Sequence, residues 1–163
     1  MSATARTAAK PISETEVEVV LTRAFDAPRA LVFKVWTEPH HLAKWWGPRD
    51  FTNPVCELDV RVGGRIFIEM HAPDGTVYPM TGTFREIVAP KRLVFSAIAE
   101  DRDGHALLEG LITVTFEEQG EKTRLTVREK AVALQPAAGP MLARMETGWA
   151  QSLFRLETAV AKA

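Results

Sequence analysis

The chain has 163 residues, 46% hydrophobic and 25% charged, which is the composition of one soluble domain able to bury ~70% of its unfolded surface. Twenty Lys and Arg against twenty-one Asp and Glu leave a net charge of -1, which excludes a global pull towards nucleic acid or acidic membranes. One cysteine, Cys56, excludes an internal disulfide framework and fits a reducing, cytoplasmic setting, and no apolar run reaches the roughly eighteen residues that a membrane span requires.

Residues 1–15 (MSATARTAAKPISET) lack the apolar core of a secretory signal and are read as a flexible tail ahead of a single domain over 16–163. From Glu16, Val17, Val19, Leu21 and Phe25 alternate with Glu18, Thr22 and Asp26, which predicts a strand. Arg23 falls in the apolar phase, either at a rim or inside with a partner. Pro28 suits the first turn of a short helix whose apolar face is Leu31, Val32, Val35 and Trp36. Pro39 opens a second short helix that stops at Gly47-Pro48.

Beyond Phe51, short apolar runs are separated by Gly63-Gly64, Asp74-Gly75, Pro90, Gly104 and Gly120. Such turn signals make successive strands antiparallel neighbours, about seven with the first. Gly82 and Gly110 inside strands are read as bends or bulges. From Pro140 to the end, Leu142, Met145, Trp149, Leu153, Leu156 and Val160 recur at steps of three and four, predicting one amphipathic helix of about 36 Å. Its stripe needs a concave apolar partner, which a curved sheet supplies.

In this order the motifs form a familiar set: Arg23-Ala24-Phe25-Asp26-Ala27-Pro28, Trp36-Thr37-Glu38-Pro39, Lys44-Trp45-Trp46-Gly47-Pro48, Asp59-Val60-Arg61-Val62-Gly63-Gly64-Arg65, and Met145-Glu146-Thr147-Gly148-Trp149. Together they resemble the START-like (SRPBCC) superfamily, in the branch related to the C-terminal domain of the activator of the 90-kDa heat-shock protein ATPase. The resemblance runs from about Val17 to Val160. It implies an α+β helix-grip fold, a curved sheet wrapped around the last helix with a hydrophobic cavity between them. The superfamily includes carriers, receptors, cyclases and co-chaperone modules, so the fold alone does not select a function.

The candidate ligand-binding residues are Trp46, Met70, Met80, Phe84, Phe95, Met141, Met145 and Trp149. Trp149 is either plain core or, with Met141 and Met145, a pocket floor of adaptable side chains. Gly148 beside it costs ~1 kcal/mol in a helix and marks a place where a strand, an indole or a ligand comes close. Of the consecutive Trp45 and Trp46, one belongs to the core; Trp46 is preferred for the cavity mouth. Glu69, Tyr78 and Glu109 would orient a ligand if they faced inward, although a solvated face is the ordinary place for such groups.

No catalytic set is legible. His40-His41 lacks the spacing for one metal, and His71 and His105 are isolated. Cys56 has no activating neighbour. There is no nucleophile elbow, phosphate loop or zinc spacing, so neither cofactor nor metal is expected. Three functions remain, in order: binding of an apolar or aromatic small molecule; a cyclase- or hydrolase-type enzyme using the same cavity through Glu69, Tyr78 or His71; and a protein-interaction module. A heat-shock chaperone is not the expected partner, because the chain has no room for the activator's additional N-terminal domain. An exposed strand edge would allow a homodimer.

Overall fold

The computed structural model describes residues 6–13 and 15–163. Strands β1 (Arg6–Ser13) and β2 (Glu16–Phe25) lead into helices α1 (Arg29–Thr37) and α2 (Pro39–Leu42). Then come β3 (Thr52–Leu58), β4 (Arg65–His71), β5 (Val77–Val88), β6 (Arg92–Glu100), β7 (Ala106–Gln119) and β8 (Lys122–Ala133). A 3-10 turn at Pro136–Ala138 precedes α3 (Gly139–Ala143) and α4 (Met145–Lys162). All eight strands form one antiparallel sheet, ordered β1-β2-β8-β7-β6-β5-β4-β3. The curved sheet and α4 make the expected α+β helix-grip fold. No helix among the described residues is long and apolar enough to cross a membrane.

Three expectations need correction. Residues 6–13 of the expected tail form β1, paired with β2 from Arg6↔Thr22 to Lys10↔Glu18. Without β1 the outer edge of β2 would be a row of unpaired backbone groups, and β1 satisfies them by main-chain bonding that needs no apolar alternation. Residues 1–5 and 14 of that tail lie outside the described residues. The last helix is also not one rod. Arg144 (φ -102°, ψ 3°) separates α3 from α4, and α4 runs for 18 residues, about 27 Å. The predicted stripe survives in α4, which buries Trp149, Leu153, Leu156 and Val160.

The third correction concerns Gly110, which is not a bulge: β7 pairs through it without a shift. It is a close approach. A Cβ there would lie 1.9 Å from Oε2 of Glu129, so only glycine leaves that oxygen its place. Gly82 is a second close approach. The Ser96 carbonyl oxygen comes 2.0 Å from where its Cβ would be, and the β5–β6 ladder lacks pairs at Gly82 and Thr83.

Register organises the inner surface. One row across the sheet is Val19, Glu129, Ile112, Phe95 and Phe84. The next is Val17, Ala131, Gly110 and Ala97, and Gly82 follows in β5. A row of large side chains thus borders a row of small ones. Phe95 and Phe84 of the first row fill the space beneath the short helices, while Glu129 and Ile112 of that row and Ala97 of the second border open space.

Candidate functional site

The open space is a cavity of about 460 Å³ between α4 and the sheet. Ala97, Ala99, Leu108 and Ile112 line its sheet side, and Met145, Gly148, Trp149 and Ser152 line its helix side. Met70, Tyr78 and Met80 reach it from β4 and β5, and Trp46, Gly47, Pro48 and Phe51 close another wall. That wall is a loop, and α4 holds it. The Arg155 guanidinium donates to the carbonyls of Lys44, Trp46, Gly47, Pro48 and Phe51 at 2.9–3.2 Å. Ser152 Oγ donates to the Gly47 carbonyl at 2.9 Å, and the Arg49 backbone N–H donates to Gln151 at 2.9 Å. Asn53 adds two bonds from below, to the carbonyls of Ala43 and Trp46. One cationic side chain therefore organises a segment with no regular structure, because five carbonyls share its charge.

At the floor lies Glu129, 6% exposed and the one buried acid among the described residues. The indole Nε1–H of Trp149 donates to its Oε1 at 2.8 Å. Burial raises its carboxyl from the usual 4.5 to about 7, and the indole hydrogen bond pulls partly the other way. Its Oε2 has no hydrogen-bond partner among the described residues and stands over Gly110 beside the cavity. A carboxyl held this way accepts or donates according to its protonation, which makes it the one chemically versatile group in an apolar chamber.

The sequence profile described as Activator of Hsp90 ATPase homolog 1-like protein matches residues 26–161. The chain belongs to this family. No curated protein matches it significantly in sequence. Solved structures similar to it include an uncharacterised protein from Rhizobium leguminosarum, at 22% identity and TM-score 0.79 over 97% of this chain and 99% of that one. A protein from Arthrobacter aurescens shares 25% identity at TM-score 0.75, covering 94% and 90% of the two chains. The AHSA1 protein from Silicibacter pomeroyi shares 25% at TM-score 0.71, covering 88% and 97%.

Within this AHSA1-like fold, six of the eight candidate ligand residues meet at one cavity: Trp46, Met70, Met80, Met141, Met145 and Trp149. Phe84 and Phe95 do not. They pack with Trp36, Leu42, Ile66 and Leu93 around a void of only about 10 Å³, because their strand row faces the two short helices. Trp45 is fully buried and donates to the Val35 carbonyl at 3.2 Å, leaving Trp46 on the cavity wall. Gly148 meets nothing closer than the Pro48 ring at 3.7 Å from a would-be Cβ, so packing does not demand a glycine there. Arg23 is buried with a partner, donating to Glu157 at 3.0 Å.

The polar candidates divide. Tyr78 faces the cavity and stacks on Phe51 at 6.5 Å, against the solvated reading. Glu69 and His71 hydrogen-bond to each other at 2.7 Å, in the strand phase opposite Ile68 and Met70, and Glu109 is exposed. None of those three lines the cavity. Burial pushes the Cys56 thiol up to about 11, which leaves it unreactive. The residue that sequence reasoning missed is Glu129. Its signal was parity: Leu125, Val127, Glu129 and Ala131 are in one phase of β8, so an inward strand face carries one carboxylate.

Proposed function

We propose that this protein binds a small apolar or aromatic molecule in the cavity between α4 and the sheet. The observation that carries the reading is the chamber itself. At about 460 Å³ it falls in the ~300–1,000 Å³ range of small-molecule sites, and apolar and aromatic side chains surround one buried carboxyl. A fold of this size gains nothing in stability from such a space, since filled cores are denser and more stable.

Trp46 and Trp149 are both on its wall, so occupancy alters indole emission. The test is a panel of lipids, flavonoids and polyketide-like aromatics, read by tryptophan fluorescence and thermal melting. A binder at a hundred times its Kd adds about 2.7 kcal/mol of stability. A flat response across the panel, in both emission and melting temperature, contradicts the reading.

A further inference from the structure

We propose that the molecule held in this cavity carries a basic nitrogen at its buried end, and that this nitrogen pairs with Oε2 of Glu129. The inference rests on the cavity reading above and names its ligand class.

Glu129 Oε1 is committed, because an indole N–H is a donor only and fixes that oxygen as its acceptor. Oε2 is held in place with no protein partner. Gly110 removes the one atom that would displace it, and the surrounding row of Ala131, Gly110 and Ala97 supplies no polar group. Oε2 opens onto the cavity rather than being sealed in the core, so the contents of the cavity supply its complement.

The surrounding charges select a cation. β2 brings Val17, Val19 and Leu21 alongside, β7 brings Gly110 and Ile112, and α4 brings Trp149, Ser152 and Leu153; none of these titrates. The other ionisable groups on the lining are Tyr78 and Arg144. Arg144 is exposed and turns its Nε to the Pro140 carbonyl at 3.4 Å. Arg155 spends its guanidinium on the carbonyls of the loop 44–51. No protein cation therefore meets the Glu129 carboxylate among the described residues. The walls favour the same ligand. Trp46 and Trp149 stand perpendicular at 5.5 Å, and Phe51 stacks with Tyr78, so aromatic rings line the same cavity as the carboxylate. Rings and a carboxylate together make a site for an ammonium group on an aromatic or apolar body.

The experiment is isothermal titration calorimetry of the full chain with benzylamine, 2-naphthylmethylamine and 4-biphenylmethylamine. Each is compared with its alcohol and its carboxylic acid counterpart. At pH 8 the best-fitting amine binds about tenfold or more tighter than its alcohol, the order of effect that a desolvated charge pair gives, and the acid binds weakest. In Glu129→Gln, which keeps an acceptor for the Trp149 indole, the amine's advantage falls to about twofold or less while the alcohol binds as before. Should that variant fail to fold, the unaltered protein still decides. Its amine affinity falls as pH drops from 8 to 6, and amine binding at pH 6 releases a proton, seen as a heat that depends on the buffer's ionisation enthalpy. Equal binding of amine and alcohol overturns the amine and leaves the cavity reading standing. No binding by any of the nine compounds overturns both.

Discussion

The space under the helices is divided into two regions built from the same strands. On one side Phe84 and Phe95 interlock with Trp36, Leu42, Ile66 and Leu93, leaving a void of about 10 Å³. On the other, Ala97 and Ala99 continue β6 past Phe95 and face α4 across about 460 Å³. A two-residue step along one strand separates the two. The difference teaches that the cavity is a choice of side-chain size in register, not a gap left by poor packing. The filled side carries stability, while the open side carries one buried acid and a set of adaptable methionines.

The comparison breaks most severely on the filled side. Phe95→Ala should cost about 3–5 kcal/mol, the range for a buried aromatic truncated in a tight core. Met145→Ala, half-buried and bordering open space, should cost about 1 kcal/mol or less. Urea denaturation of both variants checks this, and similar losses would erase the distinction between the two regions.

Next in size is the pH dependence that Glu129 imposes. Its folded carboxyl titrates at about 7, above the ordinary 4.5, so between these values the folded state holds a proton that the unfolded state has released. Stability is therefore full below pH 4.5 and falls as pH rises towards 7; the displacement corresponds to roughly 3 kcal/mol. Denaturant midpoints of the unaltered protein and Glu129→Gln, compared from pH 4.5 to 8, isolate this contribution. A difference between them that stays constant with pH would place the carboxyl in water.

Smaller effects sharpen the boundary. Ala97→Leu moves the large-residue pattern one step into the cavity. It should weaken binding of any cavity ligand about tenfold or more while changing stability by about 1 kcal/mol or less. Ligand titration alongside a thermal melt separates the two effects, and unchanged affinity would put the ligand elsewhere. Gly148→Ala should stabilise α4 by about 0.5–1 kcal/mol, since alanine is the better helix former and only the Pro48 ring lies near, at ordinary contact distance. A destabilised variant would mean that the helix backbone at Gly148 is more closely packed than this geometry allows.

Much of the fold was legible because its signals are local. Alternation marked β2 and the strands of the meander, prolines opened α1 and α2, and the three-four stripe marked α4. β1 was not legible, since an edge strand held by main-chain bonds needs no apolar pattern. The break at Arg144 was hidden by a stripe that continues through it from Leu142 to Trp149. For the site, the methionines and Trp46 could be read as adaptable or amphipathic groups near the last helix. The separation of Phe95 from Ala97, and the meeting of Gly110 with Glu129, depend on which strand residues are paired. Register across three strands is a long-range property, and no window of sequence contains it.

The most direct test is a carbon-13 NMR titration of the Glu129 side-chain carboxyl, assigned by the signal lost in Glu129→Gln. The account predicts a midpoint near 7 in the free protein, moving well down once 2-naphthylmethylamine saturates the cavity. A midpoint near 4.5, unmoved by the amine, would contradict both the buried carboxyl at the cavity floor and the ligand assigned to it.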